Sequence, residues 1–324
     1  MISCVLLAFA CAAGAQTYTW QPSAGHTQMP IWPGAVPDAQ PVPDPESIVT
    51  VTATKDLVAG KPWTELENVS RPTMTVYSPA GRNTGVAAVV FPGGGFHILA
   101  IDLEGTEVCD WLTSRGITCV LLKYRVPYSG PYWDQQCRCE LSPKAPTALE
   151  DAQRTIGLVR LHAAEWHIDP DKVGVIGFSA GGYLVAAIST NYAHRLYAPI
   201  DAADRESARP DFAVAVYPGH LCEYPGHSCS DEKLELNPKI RVTSDTPPTF
   251  LVQAEDDYVD GVDQSLTYYI ALKKARVPAE MHLYTHGGHG FGLRPTKDPI
   301  TRWPELMEKW LKTIRIFPNQ AFGP

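Results

Sequence analysis

The chain has 324 residues, of which 44% are hydrophobic and 19% charged, the usage of one large globular domain with a filled core, and this excludes a disordered chain. Its formal net charge of −8 excludes the clustered cations that a nucleic-acid backbone requires of its partner. No apolar segment reaches membrane-spanning length.

The first fifteen residues carry an apolar run followed by Ala13-Gly14-Ala15, the pattern of a secretory signal cut after Ala15, although no Lys or Arg precedes the run. Residues 16–68 form a proline-rich arm in which long helices are forbidden, and residues 69–324 are expected to form a single catalytic domain around which the arm wraps. Removal of the signal leaves Cys109, Cys119, Cys137, Cys139, Cys222 and Cys229, an even six that points to disulfides in an exported protein; their pairing is open.

After the arm, apolar strands and helical stretches alternate. Strands are expected at 73–78, 86–91, 117–124, 173–178, 212–217, 249–254 and 279–286. Helices are expected from Leu103 to Arg115, after a capping box formed by Thr147 and Glu150, from Asp263 to Ala275 and from Trp303 to Ile314. Continuous apolar strands alternating with helices predict an α/β fold with a mostly parallel, doubly wound sheet, helices on both faces, and loop insertions over the site.

Where the strand at 173–178 meets a helix of small residues, Gly177-Phe178-Ser179-Ala180-Gly181 matches the GxSxG nucleophile elbow. A serine hydroxyl needs a base to take its proton and a carboxylate to orient that base. Both follow at later strand ends: Glu255-Asp256-Asp257 after one strand, and His286 and His289 after the next. His289 lies in a Gly-Gly-His-Gly loop able to carry the ring over the sheet edge, and Asp257 opens its loop; Asp256 is the alternative acid. The oxyanion donors expected are the amides of Ala180 and of Gly93 and Gly94 in "FPGGGFH". Phe96 and His97 beside that loop, and Trp133 and Tyr224 in two loop insertions, are candidates for stacking on a substrate ring. Neither a cofactor nor a metal is expected: the carboxylate neighbours of His282, His286 and His289 lie elsewhere, and His282 is expected to face a neighbouring strand.

With "PGGGF", "DLEGTEVCDWL", "DAQRTIGLVR", "GFSAGG", "PPTFLVQAEDDYV" and "GGHGF" in place, the chain from about Thr73 to Arg315 resembles the α/β-hydrolase superfamily, in particular the hormone-sensitive-lipase-like and secreted carbohydrate esterases. Pro92 stands where that family usually has the His of His-Gly-Gly-Gly. The resemblance implies Ser179, Asp257 and His289 as triad. It also implies an exported serine esterase acting on acetyl or feruloyl esters of plant polysaccharides, with a small-molecule or polysaccharide ester as its partner. Two rival activities share the triad, a general carboxylesterase or short-chain lipase and a prolyl-oligopeptidase-like peptidase; the latter family carries a large extra domain for which no segment is found here.

Overall fold

The computed structural model describes residues 19–39, 44–126, 132–134, 139–141, 145–222, 229 and 234–317, the side chains of 132–134, 139–141 and 145 excepted. The expected signal segment, Cys137 and Tyr224 lie outside these residues, as do the side chains of Trp133 and Cys139.

In chain order the elements are β1 (Gln28–Pro30), β2 (Ser47–Val51), β3 (Trp63–Glu67), β4 (Thr73–Tyr77), β5 (Ala87–Phe91), β6 (Ile98–Ala100), α1 (Glu107–Ser114), β7 (Thr118–Lys123), β8 (Tyr132–Asp134), β9 (Cys139–Leu141), α2 (Ala145–Leu161), β10 (Val173–Phe178), α3 (Ala180–Asn191), β11 (Ala213–Val216), β12 (Thr249–Ala254), α4 (Asp263–Lys274), β13 (Ala279–Tyr284) and α5 (Trp303–Thr313). An eight-stranded sheet runs β1-β4-β7-β5-β10-β11-β12-β13. Every neighbouring pair from β7 to β13 is parallel, while β4 is antiparallel to both β1 and β7. The central strands β5, β7, β10, β11 and β12 are buried along their whole length, because helices cover both faces. That is why they read as unbroken apolar runs rather than alternating ones.

The proline-rich arm is more ordered than a wrapping coil. Its β1 adds an edge strand to the main sheet, where Pro30 is tolerated because an edge position needs no N–H on its open side. Its β2 pairs with β3, and β3 with β6, in a separate antiparallel sheet, so the arm is built into the structure beside the Gly93–Gly95 loop. Ile31 and Trp32 anchor it in the core, and the Trp32 indole N–H donates to Asp151 Oδ1 at 2.9 Å.

Two local expectations differ from the structure. Helix α2 starts at Ala145, so Thr147 lies inside it and does not cap it; Pro146 in the first turn lacks an N–H that would need an acceptor there. Glu150 instead meets the buried Arg125 at 2.7 Å. The stretch expected as one helix from Leu103 opens with a π-helical turn over Asp102–Thr106 before α1. Such turns concentrate at functional sites, and this one carries Glu104. Disulfides join Cys109 to Cys119, tying α1 to β7, and Cys222 to Cys229.

Candidate active site

Ser179 sits between the end of β10 and the start of α3 with φ +51° and ψ −119°, a strained conformation for a residue with a side chain. The chain can turn this sharply because Gly177 and Gly181 carry no Cβ: one at Gly177 would strike the Gly181 carbonyl, and one at Gly181 the Phe91 carbonyl. The turn is held by the Ser179 N–H donating to Val216 O at 3.0 Å. The hydroxyl is thereby lifted above the carboxyl end of the sheet, where ligands of open α/β sheets bind.

The loop after β13 brings His289 to it. Ser179 Oγ lies 2.9 Å from His289 Nε2, and His289 Nδ1 lies 2.8 Å from Asp257 Oδ2. A carboxylate only accepts, so Nδ1 carries the ring proton and Nε2 is left to accept from the serine. Asp257 is fixed in turn: Oδ1 accepts from the N–H groups of Val259 and Asp260, each at 2.9 Å, and Oδ2 from Gln253 Nε2 at 3.0 Å. Asp256, the alternative acid, faces elsewhere. Its Oδ1 accepts from the Gly287 and Gly288 N–H groups, and its Oδ2 lies 3.2 Å from His286 Nδ1, so it pins the root of the His289 loop from outside. The amide of Gly288 holds its carboxyl below the usual range. His282 pairs with Glu280. The three histidines therefore meet three different carboxylates, and among the described residues no cluster of His, Cys, Asp and Glu gathers to hold a metal.

The oxyanion loop needs a correction. Gly93, expected as a donor, gives its N–H to Glu104 Oε2 at 2.7 Å, inside the protein. Its amide is therefore engaged away from any substrate carbonyl. Gly94 and Gly95 line the cleft beside Ser179, with the Gly94 carbonyl held by the His97 and Ile98 N–H groups. Ala180 opens α3, where first-turn amides have no acceptor within the helix. Phe96 is also reassigned: it is 1% exposed and packs edge-on against Tyr124 and Tyr183, a core position rather than a substrate platform. His97 is exposed but does not line the cleft, whereas His220 does.

No motif in the sequence singles out Glu104. Besides Gly93 it accepts from the Tyr217 hydroxyl at 2.8 Å, and that hydroxyl accepts from the Gly292 N–H at 3.1 Å. One buried carboxylate thus ties the oxyanion loop to the loop that carries His289. Burial pushes its carboxyl above the usual range, against the opposing effect of the Tyr217 and Gly93 hydrogen bonds. The signal available was a glutamate inside the quoted "DLEGTEV" at a position that turns out 4% exposed. The cleft, about 770 Å³, is roofed by the arm through Val51, Lys55 and Trp63, and Tyr258, 85% exposed, stands at its rim. Trp63 and Tyr258 are aromatic side chains that line the described cleft; Tyr224 and the Trp133 side chain, the other expected stacking candidates, lie outside the described residues.

Comparison with known proteins agrees with this architecture. Residues 110–314, more than half of the chain, match the prolyl oligopeptidase family. The chain belongs to that family. As a member it has the α/β-hydrolase fold. It is also similar to the acetylxylan esterase of Xylanibacter ruminicola, at 29% identity over 253 residues covering 73% of this chain and 46% of that protein. The endo-1,4-beta-xylanase B of Butyrivibrio fibrisolvens is 26% identical over 215 residues, 62% of this chain and 32% of that protein. The chain thus spans less than half the length of these two relatives. Among solved structures, the acetyl ester-xyloside bifunctional hydrolase from Caldicellulosiruptor lactoaceticus superposes with a TM-score of 0.68 at 30% identity, covering 90% of this chain and 97% of that one.

For this family member the His289 environment has a consequence in pH. Burial disfavours the imidazolium, but the Asp257 hydrogen bond and the charges of Asp257, Asp260 and Glu104 outweigh it and hold the ring above its ordinary 6.5. In the mechanism proposed below His289 is the base and must be neutral to take the serine proton, so activity is expected to fall as pH drops through the raised pKa of the ring. The acid limb of kcat/KM for a neutral ester is expected to have its midpoint above 6.5; a midpoint at or below 6.5 would contradict the reading of these charges.

Proposed function

We propose that the protein is an exported serine esterase that removes short acyl groups, acetate first, from plant polysaccharides of the xylan type or their oligosaccharides. The observation that carries the reading is the continuous relay from Asp257 through His289 to Ser179, at 2.8 and 2.9 Å, opening into the cleft. The disulfides Cys109–Cys119 and Cys222–Cys229 support an oxidising compartment. The relative from Xylanibacter ruminicola, named as an acetylxylan esterase, and the solved acetyl ester-xyloside hydrolase support the substrate class.

In this mechanism Ser179 Oγ adds to the ester carbonyl as His289 Nε2 takes its proton. The amides of Gly94 and Ala180 face the oxygen that gains the charge. Collapse expels the alcohol, which receives its proton from His289, and leaves acetyl on Ser179. Water, deprotonated by the same nitrogen, adds to the acyl carbonyl; its collapse releases acetate and returns the proton to Oγ. Asp257 keeps the ring in the tautomer that both halves require.

The test is the spectrum of products from acetylated and feruloylated xylan, read by mass spectrometry alongside p-nitrophenyl esters of increasing acyl length and a dipeptidyl p-nitroanilide. Acetate release from xylan, with rates falling as the acyl chain lengthens, is the expected result. Cleavage of p-nitrophenyl acetate without release from xylan would refute the polysaccharide assignment, and preferential cleavage of the anilide would move the protein to the peptidases of its family.

A further inference from the structure

Asp260 has no task in the mechanism above, yet its carboxylate faces both reacting groups. Its Oδ2 lies 3.4 Å from Ser179 Oγ and 3.9 Å from His289 Nε2, on the cleft side of the pair. Asp257 holds the other edge of the same ring. The backbone of Asp260 holds the turn: its N–H donates to Asp257 and its carbonyl accepts from Gln253. The side chain is wedged against Gly219, where a Cβ would come within 2.6 Å of both carboxylate oxygens, so the backbone there leaves room for the carboxylate and little else. It is 7% exposed, in surroundings where a charge is felt strongly.

The position of the leaving group follows from the chemistry. His289 Nε2 must hand its proton to the departing alcohol oxygen, which therefore sits within about 3 Å of that nitrogen. Whatever the alcohol carries next to that oxygen is brought against Asp260. A carboxylate accepts and never donates, so it suits a hydroxyl or a cation and opposes an anion.

Building on the esterase reading, we propose that Asp260 is a specificity-determining residue for the alcohol half of the ester: its carboxylate accepts a hydrogen bond from a hydroxyl neighbouring the esterified oxygen of a neutral sugar and repels acidic leaving groups. Removal of this charge also withdraws one of the three carboxylates facing the His289 ring, leaving Asp257 and Glu104.

The experiment compares the unmodified protein with Asp260→Asn on acetates of three para-substituted phenols of matched shape, bearing nitro, carboxylate or trimethylammonium. It adds a monoacetylated methyl xyloside and its deoxy analogue without the adjacent hydroxyl. The unmodified protein is expected to prefer the cationic ester to the anionic one. In Asp260→Asn the ratio of their kcat/KM values should fall by about tenfold, as expected for removal of one nearby charge in a partly screened site. Preference for the hydroxylated xyloside over its deoxy analogue should shrink by about tenfold or more, and the acid limb of the pH profile should move to lower pH. Equal losses on all five esters, or unchanged ratios, would overturn the Asp260 assignment and leave the esterase reading intact. Failure of the unmodified protein to hydrolyse any of them would overturn both.

Discussion

Replacing Ser179 with alanine is expected to lower kcat/KM for p-nitrophenyl acetate by about 10³- to 10⁶-fold while the protein stays folded. The magnitude follows from the division of labour in the site. In the proposed mechanism the loss of Oγ abolishes the acyl-enzyme and leaves His289 only to activate water for direct attack at a carbonyl facing the Gly94 and Ala180 amides. The fold should survive because alanine keeps the Cβ that the elbow already accommodates, and the strained φ of +51° is imposed by surrounding backbone, including the Ser179 N–H bond to Val216. Thermal unfolding within a few degrees of the unmodified protein, together with the activity loss, is the expected pair of observations. Full activity in Ser179→Ala would remove the nucleophile from the account.

Asp151→Ala should give the largest loss of stability, about 3–5 kcal/mol by chemical denaturation. Asp151 and Arg125 are both buried, and they meet through several hydrogen bonds at 2.9 to 3.1 Å, the Arg125 N–H adding another to Asp151 Oδ2. Burial opposes ionisation of the aspartate, and the Arg125 guanidinium offsets that opposition. Arg125 also binds the Thr147 and Pro37 carbonyls and Glu150, while Trp32 donates to Asp151. Deleting the carboxylate leaves a guanidinium in the interior with Glu150 as its main counter-charge and releases the arm at Trp32. Since the arm roofs the cleft, ester hydrolysis should weaken in parallel. An Arg125→Met/Asp151→Leu double variant should recover much of the stability, because the cost comes from the orphaned charge more than from the lost pair. A loss below about 1 kcal/mol in Asp151→Ala would mean that the network contributes little.

The core of the fold was legible because a parallel sheet covered on both faces forces unbroken apolar strands, and β5, β7, β10, β11 and β12 each carry that imprint. Ser179 was legible for a steric reason, since its elbow admits only glycine two residues to either side. Reach along the chain singles out Asp257 at the start of one loop and His289 within the next, and the structure brings Asp257 to His289 at 2.8 Å and His289 to Ser179 at 2.9 Å. What stayed hidden depends on side chains meeting across the fold. Nothing local to Gly93 reveals that its amide turns inward, because the acceptor is a glutamate on a π-helical turn that the helical pattern concealed. Asp260 carries no local signal either, because its approach to Ser179 and His289 depends on the loop folding against Gly219. The short strands of the arm are masked by its prolines, and the inward turn of Phe96 is hidden because an aromatic beside a glycine loop can face either way.

The central claim is that Ser179 carries the acyl group. Rapid acid quenching of the protein during turnover of p-nitrophenyl acetate, followed by peptide mass spectrometry, tests it most directly. The account predicts an acetyl adduct on Ser179 of the peptide containing Gly177-Phe178-Ser179, absent from Ser179→Ala and formed far more slowly in His289→Ala, which lacks the base of both steps. Turnover accompanied by acetylation of a different residue, or undiminished turnover in Ser179→Ala, would contradict it.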